Sequence, residues 1–385
     1  MRVAVICDYV EENWPSMELV AEMLLKNLQV SHALIIDATR VCPPVKQRIS
    51  HLHVFKRKNF ACNADRFINR FWDYPRLVKR RREEFDLFHI VDHSYAQLVH
   101  QLPATRTIVT CHDIDTFRCV LNPQKERRSR PFVAMTNRIL DGLRTAARVT
   151  CDSVATRDEL LAHDVLPLER MVVIPNGVHP TCSPKPDAEA DQEALRLLGP
   201  AHNGIIELLH VGSTIPRKRI DVLLRVFAEI IKEFPKARLV RAGGAFTEEQ
   251  QRLVDSLGLE SSIVVMPALD RPTLAAVYRR ATLVLQPSER EGFGLPVVEA
   301  MACGTPVVAS DLNVLREVGG DAAVYCPVAD VDAWSEAVIA LLEERQNESQ
   351  LWELRQSEGL AQATKFTWSA YASRMVELYR ELWGS

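Results

Sequence analysis

The stretch "TLVLQPSEREGFGLPVVEAMACGTPVVAS" (282–310) contains two short apolar runs separated by a glycine-rich loop and a helical pattern. The first run, "TLVLQPS" (282–288), predicts a strand, and "PVVAS" (306–310) predicts the next one. Pro296 suits the first turn of the intervening helix, and Gly304 suits its end. A strand, a loop, a helix and a second strand in this order form the unit of a parallel α/β sheet.

The same alternation runs through the rest of the chain. In the first part, a helical pattern covers 17–28 and strands are predicted over 2–7, 33–37, 87–91 and 106–111. A second series of strands and helices begins near the middle of the chain. We therefore predict an α/β fold with two doubly wound, Rossmann-like domains. Because ligands bind beyond the carboxyl ends of parallel strands, we expect the domains to face each other across a ligand-binding cleft.

The two series define the domain borders. Residues 1–178 are predicted to form the first domain and 205–365 the second. The intervening residues 179–204 include a run rich in proline, aspartate and alanine, and we interpret them as a linker.

Composition excludes several classes of protein. The chain has 385 residues, of which 47% are hydrophobic and 25% charged, as in globular proteins. It has no apolar run of about 18 residues, and its N-terminus lacks the longer apolar region of a signal peptide. Nine scattered cysteines without a C-x-x-C pair favour a reduced, cytoplasmic protein over a disulfide framework or a zinc site. The net charge of −3 predicts no general affinity for nucleic acid.

The glycine loop combines an anion site with two carboxylates. Gly292 and Gly294 lie just before a predicted helix N-terminus, where exposed amides attract phosphate. Glu291 and Glu299 would repel phosphate, but carboxylates accept hydrogen bonds from sugar hydroxyls. A nucleotide diphosphate sugar, with phosphates between two hydroxyl-rich groups, fits both features. Glu299 could instead only stabilise the first helical turn.

A second strand–loop–helix crossing supplies positive charge. In "VGSTIPRKRIDVLL" (211–224), Gly212 and a polar turn precede Arg217 and Lys218. Amides and cations at the mouth of a crossing suit a diphosphate. The alternative is a solvated basic turn.

Taken together, these motifs resemble those of the family-4 retaining glycosyltransferases, which have the GT-B fold. The resemblance rests on the two-glutamate stretch, on "VGSTIPRK" (211–218), on "VVIPNGV" (172–178) and on "FTWSAYASRMVELYRELW" (366–383). It is strong over 170–385 and weaker over 1–165. It implies that the C-terminal helix, within 366–385, crosses back onto the first domain.

The resemblance implies a role for each residue of the second domain. Glu299 would hold the ribose hydroxyls, and Arg217 and Lys218 would neutralise the departing diphosphate. The transferred sugar would be held by Glu291 and the amides of Gly292, Phe293 and Gly294. The amide of Leu295 would lie near the phosphates, and backbone groups of Leu269 would contact the base. Many members carry an arginine directly after the first glycine of the phosphate segment; here Ser213 follows Gly212.

In the first domain, the resemblance draws attention to His112, just beyond a predicted strand, where members carry a histidine beside the anomeric centre. It could bind a sugar hydroxyl or the acceptor, shuttle a proton, or be structural. Asp113 and Asp115 form a D-x-D, but with cations already present we expect no metal. Members often have a Gly-Gly loop after the first strand. Here Trp14 could be a sugar platform or a hydrophobic plug, and Ser16 a helix N-cap on the acceptor side.

The segment 56–82 carries ten basic residues and two acidic ones, Asp65 and Asp73, with aromatic residues between them. Such a segment could lie on an anionic membrane, contact an anionic acceptor, or form a solvated helix face.

The expected activity is retaining transfer of a hexose, of the mannose or glucose type, from a UDP- or GDP-sugar to a hydroxyl of a sugar, polysaccharide or lipid-linked acceptor. No cofactor is expected. The expected location is cytoplasmic, with possible peripheral contact at the inner face of the membrane. A phosphorylase of the same fold and a non-catalytic nucleotide-sugar binding protein are the alternatives.

Overall fold

A computed structural model describes residues 1–51, 59–200 and 205–384. The chain divides into two compact units, the first formed by Met1–Gly177 with Trp368–Ser385 and the second by Val178–Thr367. The beginning of the basic segment and the end of the predicted linker fall outside the described residues.

The first unit contains a parallel sheet whose six described strands have the order β2-β1-β3-β4-β5-β6. The strands are β1 (Arg2–Ile6), β2 (Asp37–Val41), β3 (Leu87–Ile90), β4 (Thr107–Cys111), β5 (Arg148–Cys151) and β6 (Met171–Val173). The helices, numbered along the whole chain, are α1 (Pro15–Ser31), α2 (Asn59–Ile68), α3 (Tyr74–Arg81), α4 (Arg118–Leu121), α5 (Arg130–Thr145), α6 (Val154–Ala162) and, after the second unit, α15 (Trp368–Gly384).

Two local predictions for this unit are wrong. The strand predicted over 33–37 is mostly a turn, in which the amides of Ile35 and Ile36 both donate to the carbonyl of His32, and β2 begins only at Asp37. The apolar run 33–37 suggested a buried strand, but Leu34 within it is fully exposed and lies in the turn. Ser16 is also not the N-cap of α1, since Pro15 already occupies the first turn.

The second unit also contains a parallel sheet, with its six described strands in the order β12-β11-β10-β7-β8-β9. The strands are β7 (Ile206–Val211), β8 (Ala237–Ala242), β9 (Ile263–Met266), β10 (Leu283–Gln286), β11 (Val307–Ser310) and β12 (Val324–Cys326). The strand order reverses between β7 and β10, so this is the switch point at which a doubly wound sheet leaves a crevice.

The helices of the second unit follow the predicted alternation with the strands. They are α7 (Ala188–Leu198), α8 (Ile220–Glu233), α9 (Glu248–Leu257), α10 (Arg271–Arg280), α11 (Leu295–Ala302), α12 (Asn313–Gly319), α13 (Val331–Asn347) and α14 (Ser349–Ala363).

The region interpreted as a linker is partly folded. Helix α7 lies within it, is capped by the side chain of Asp187, and packs on α10. An ion pair between Asp191 and Arg279 joins the two helices. Buried alanines on one face of α7, at 190 and 194, explain why this polar, alanine-rich run packs on the second unit instead of remaining an open connection.

Helix α15 is attached to the sheet of the first unit by buried polar groups as well as by apolar packing. Tyr379 of α15 is hydrogen-bonded through its hydroxyl to His89 Nδ1, over 2.6 Å. His89 Nε2 lies 2.7 Å from Thr110 Oγ1, which bonds in turn to Thr150. Burial lowers the pKa of His89 to about 3, so the ring is neutral and one of its nitrogens donates while the other accepts.

None of the helices in the described ranges is long and apolar enough to cross a membrane.

The buried chain through His89 predicts a stability effect. Tyr379→Phe leaves a ring nitrogen of His89 without a partner and should lower the free energy of unfolding by about 1–3 kcal/mol, the usual cost of a buried unsatisfied group. The measurement is the midpoint of urea unfolding. The double variant His89→Leu/Tyr379→Phe should cost less than the sum of the single variants, because it removes both partners. Additive losses would show that the two groups are not coupled.

Candidate functional site

The candidate site of the second unit lies at the switch point of its sheet. The loop after β7 carries Arg217 and Lys218, and the loop after β10 carries Glu291. The amide of Glu289 donates to the carbonyl of Arg217 over 2.8 Å, so the backbones of the two loops are joined. The structure therefore brings together two motifs that lie more than 70 residues apart in the sequence.

Glu291 is the centre of a buried polar cluster. Its Oε1 accepts hydrogen bonds from Lys218 Nζ at 2.6 Å, from Gln286 Nε2 at 2.6 Å and from Ser288 Oγ at 2.7 Å. Its Oε2 lies 3.4 Å from Nη1 of Arg217. The Glu291 side chain is only 6% exposed, so these contacts are shielded from water.

Electrostatics keep this carboxylate ionised. Burial alone would raise the pKa of Glu291, but the charges of Lys218 and Arg217 and the hydrogen bonds from Lys218 and Ser288 outweigh it and lower the pKa to about 2. The group of two cations and one carboxylate therefore carries a net positive charge at neutral pH. That charge suits a phosphate ligand in spite of the glutamate.

Glu299 has a different environment from Glu291. It lies in the second turn of α11, past the first turn that acidic residues usually stabilise, and its Oε2 accepts a hydrogen bond from the hydroxyl of Tyr278 at 3.0 Å. Burial raises the pKa of Glu299 to about 7, although Tyr278 and the charge of Arg271 act in the opposite direction. The carboxylate is thus close to half-protonated at neutral pH before a ligand binds.

The glycine loop has a backbone that requires glycine at its last position. Gly294, at the N-cap of α11, has φ of 99°, and a Cβ there would lie 2.6 Å from Leu315 Cδ2. Phe293 is buried against Phe366, and Leu295 begins the helix. The loop from Gly292 to Leu295 therefore lies directly at a helix N-terminus, as predicted.

The other predicted donor residues lie in loops of the second unit. Gly212 directly follows β7 and is partly buried, and Ser213 is exposed. Leu269 is partly buried between the end of β9 and the N-cap Asp270 of α10.

In the first unit, His112 is buried and both of its ring nitrogens are engaged. Nδ1 lies 2.6 Å from Asp152 Oδ2, and Nε2 lies 2.7 Å from the carbonyl oxygen of Val91. Burial lowers the pKa of His112, but the charge and hydrogen bond of Asp152, the charge of Asp92 and the Val91 carbonyl raise it to about 10. An imidazolium that donates from both nitrogens leaves neither of them for a substrate in this arrangement.

The acidic pair beyond His112 stabilises its own turn. Asp113 Oδ1 accepts a hydrogen bond from the amide of Asp115 at 2.9 Å, and Asp115 pairs with Arg118. Trp14 and Ser16, at the start of α1, are both exposed. Across the residues that the structure describes, no group of three or more histidine, cysteine or acidic side chains could hold a metal ion.

Two carboxyl groups that the motifs did not identify contact each other at the switch point of the first sheet. Asp8 follows β1 and Asp92 follows β3. Burial and the nearby charge of Asp92 raise the pKa of Asp8 well above its usual range. Asp92 carries the negative charge, because the imidazoles of His93 and His112 and two bonds from Ser94 stabilise it. This shift favours the protonated form of Asp8, which could both donate to and accept from a hydroxyl.

The motifs also missed three partners in the second unit. Gln286 and Ser288 bond to Glu291, and Tyr278 bonds to Glu299. Gln286 carried a signal that went unused, since it is a polar side chain at the end of an otherwise apolar strand.

The basic segment forms α2, one π-helical stretch over Asn69–Asp73, and α3. Its two acidic residues turn toward the protein: Asp65 accepts bonds from the amides of the 48–50 loop, and Asp73 pairs with Arg48. The exposed side chains of this segment include three aromatic ones, Phe60, Phe67 and Trp72, and five basic ones, Arg66, Arg76, Lys79, Arg80 and Arg82.

Comparison with known families agrees with the motifs. The family described as "Glycosyl transferases group 1" matches residues 200–357, and the family described as "Glycosyltransferase Family 4" matches residues 17–181.

Two curated relatives extend this match. The chain is 30% identical over 313 residues to O-antigen chain mannosyltransferase B of Escherichia coli, covering 80% of this chain and 79% of that protein. It is 33% identical over 249 residues to a D-inositol 3-phosphate glycosyltransferase of Thermobispora bispora, covering 61% of this chain and 56% of that protein.

Solved structures share the fold at lower identity. Sucrose-phosphate synthase from Thermosynechococcus elongatus matches with a TM-score of 0.73 and 21% identity over 100% of this chain and 99% of that one. The Anabaena protein Alr3699/HepE, in complex with UDP and glucose, matches with a TM-score of 0.72 and 17% identity over 99% of this chain and 100% of that one. The chain belongs to the group 1 glycosyl transferases, and it is a glycosyltransferase with the GT-B fold.

Proposed function

We propose that this glycosyltransferase binds a UDP- or GDP-sugar at the switch point of its second unit and transfers the hexose, with retention, to an acceptor hydroxyl. The observation that carries the proposal is the buried cluster of Lys218, Arg217 and Glu291, which is net positive and lies beside the N-terminus of α11. Cations and helix amides together are a site for a diphosphate.

The roles of the residues follow from charge. The bond between the anomeric carbon and the diphosphate oxygen breaks, and negative charge collects on the diphosphate. Lys218 and Arg217 stabilise that charge, while Glu291 holds both cations in place. The acceptor oxygen bonds to the anomeric carbon on the face that the diphosphate leaves, and its proton passes to the diphosphate. The chain's own cations supply the positive charge, so the proposed reaction needs no metal.

The nucleoside would be held by the α11 side of the site. The carboxylate of Glu299, oriented by Tyr278, would accept hydrogen bonds from the ribose hydroxyls. Backbone groups at Leu269 would contact the base. On the acceptor side, the carboxyl group of Asp8, whose raised pKa favours protonation, and the exposed ring of Trp14 are suited to a polyhydroxylated acceptor.

The relatives support the choice of substrates. One relative is named as an O-antigen chain mannosyltransferase, and one structural neighbour contains UDP and glucose. A hexose of the mannose or glucose type and a polysaccharide or glycolipid acceptor are therefore the substrates that we propose, in the cytoplasm.

We further propose that the exposed side of the basic segment binds the cytoplasmic surface of an anionic membrane. The exposed Phe60, Phe67 and Trp72 supply apolar contact, and the exposed Lys79 and Arg80 supply charge.

Removal of the central cation should slow turnover. Lys218→Ala should lower kcat by about 10²–10³, the usual loss when a preorganised transition-state charge is removed. Lys232→Ala, at an exposed lysine of α8, is the control and should leave kcat unchanged. The measurement is steady-state turnover at saturating UDP- or GDP-sugar, with and without chelator. Wild-type kcat in Lys218→Ala would refute the role of Lys218, and activity lost to chelator would refute the metal-free site. Sugar release that requires inorganic phosphate instead of an acceptor would indicate a phosphorylase.

Donor binding should depend on pH through Glu299. The ribose hydroxyls require the carboxylate, so protonation below the pKa of about 7 should weaken binding by up to tenfold per pH unit, and the affinity should be constant above it. The nucleotide sugar is the appropriate ligand for calorimetry, because its diphosphate does not titrate in this range.

Two variants test the assignment of that titration. Glu299→Gln should bind the donor more weakly with no such pH dependence. Tyr278→Phe removes a hydrogen bond that lowers the pKa of Glu299. The pH below which donor affinity falls should therefore be higher in this variant. A pH dependence that survives in Glu299→Gln belongs to another group.

Membrane contact should appear as salt-sensitive binding to anionic vesicles. Each basic side chain near an anionic bilayer contributes about 1 kcal/mol, so Lys79→Glu/Arg80→Glu should reduce co-sedimentation sharply. Lys125→Glu/Arg127→Glu, at exposed basic positions elsewhere in the first unit, should not. Equal binding to neutral and anionic vesicles, or none to either, would contradict the proposal.

A further inference from the structure

Arg241 is a fully buried cation in the second unit. It lies on β8, its Nη1 donates to the carbonyl of Gly244, and its Nη2 donates to the carbonyl of Gly212 at 2.9 Å. Its guanidinium lies 5.2 Å from the ring centre of Phe246. No carboxylate in the described ranges forms an ion pair with it.

This arrangement is unusual because buried charges in proteins are normally paired. Another arginine of β8 shows the common solution: Arg238 pairs with the buried Glu207. Burial lowers the pKa of Arg241 to about 10, so the group still carries its charge at neutral pH. The missing counter-charge is therefore expected from something that binds nearby.

The position of Arg241 indicates which ligand this is. Its bond to Gly212 reaches the loop that follows β7, the first of the two loops in the donor site. A Cβ on Gly212 would lie 3.2 Å from His210 and 3.6 Å from the Lys218 side chain. Lys218, which we propose binds the diphosphate, therefore packs beside the same glycine.

The hydrogen bond from Arg241 to the Gly212 carbonyl also fixes the orientation of the Gly212–Ser213 peptide. In a trans peptide the carbonyl and the following N–H point in opposite directions. Because the Gly212 carbonyl points toward Arg241, the N–H of Ser213 points away from it. Gly243 approaches the same carbonyl so closely that a Cβ there would lie 1.9 Å from the Gly212 oxygen, which leaves this peptide little room to rotate.

We propose that Arg241 is a positioning residue for the donor diphosphate. It holds the Gly212–Ser213 peptide so that the Ser213 amide is presented to the phosphates, and the diphosphate supplies the negative charge that the buried guanidinium lacks. Arg241 acts from behind the loop without touching the ligand. The inference rests on the proposed function, since it requires a diphosphate at this loop.

The test compares a nucleoside with its diphosphate, which differ in charge. The two pairs are uridine with UDP and guanosine with GDP. Arg241→Gln retains a hydrogen-bond donor and removes the charge. It should weaken binding of the preferred diphosphate by about tenfold to a hundredfold, the range of a charged hydrogen bond, and binding of the nucleoside by less than about threefold. Ligand-observed NMR measures the weak nucleoside and calorimetry the diphosphate.

Two further variants separate charge from structure. Arg241→Lys retains the charge but loses the fixed guanidinium bond to Gly212, so its diphosphate affinity should lie between those of Arg241→Gln and the wild type. Arg238→Gln perturbs the same strand at a paired arginine and should weaken both ligands equally or neither. If Arg241→Gln does not fold, Arg241→Lys is compared with the wild type alone: the loss of the Gly212 bond should weaken the diphosphate more than the nucleoside.

The outcomes distinguish this inference from the function on which it rests. Wild-type diphosphate affinity in Arg241→Gln, or equal losses for nucleoside and diphosphate, would overturn the inference and leave the proposed function standing. Equal affinities in Arg241→Lys and wild type, where that variant is used alone, would also overturn it. A wild-type protein that binds neither UDP, nor GDP, nor their sugars would refute the proposed function itself.

Discussion

The ion pair between Lys218 and Glu291 is the interaction on which the candidate donor site depends. It joins the loop after β7 to the loop after β10, which lie on either side of the point where the strand order reverses. A lysine brought into this shielded crevice alone would pay a large desolvation cost, and so would a glutamate. Paired with each other, and with Gln286 and Ser288 bonded to the same carboxylate oxygen, the two side chains offset much of that cost in the candidate site.

Charge balance explains how a glutamate can lie in an anion site. Arg217 and Lys218 exceed the single charge of Glu291 by one. Arg241, which has no ion-pair partner among the residues that the structure describes, adds another positive charge beside Gly212. Glu299, the second carboxylate of the motif, is closer to neutral because it is buried against Tyr278 with fewer opposing charges. Two glutamates eight positions apart thus have opposite pKa shifts, and the cause is the number of cations that surround each one.

The first unit contains two buried histidines whose charge states differ. His112 is a charged ring held by Asp152 and the Val91 carbonyl, whereas His89 is a neutral ring held by Tyr379 and Thr110. The difference follows from the partner, since a carboxylate stabilises the imidazolium and hydroxyl groups do not. In this arrangement His112 ties the end of β4 to Val91 and Asp152, while the raised pKa of Asp8 favours a carboxyl that can also donate a hydrogen bond.

Much of this molecule could be predicted from local sequence. The periodic apolar runs correctly predicted two parallel α/β sheets, and glycine, proline and the strand ends placed the loop from Gly292 to Leu295 at a helix N-terminus, because these signals act over a few residues. The strand predicted over 33–37 failed because an apolar run does not reveal whether its side chains will be buried, and α7 was missed because its alanines gain their stability only by packing on α10.

The sequence by itself determined the fold class, the family motifs and the residue types of the candidate donor site. Only the tertiary structure decided that Lys218 and Arg217 share Glu291, that Glu299 bonds to Tyr278, that both nitrogens of His112 are engaged, and that the buried Arg241 bonds to the carbonyl of Gly212. The physical reason is that charge state and hydrogen bonding depend on burial and on neighbours from distant parts of the chain, whereas helix and strand periodicity depends on residues a few positions apart.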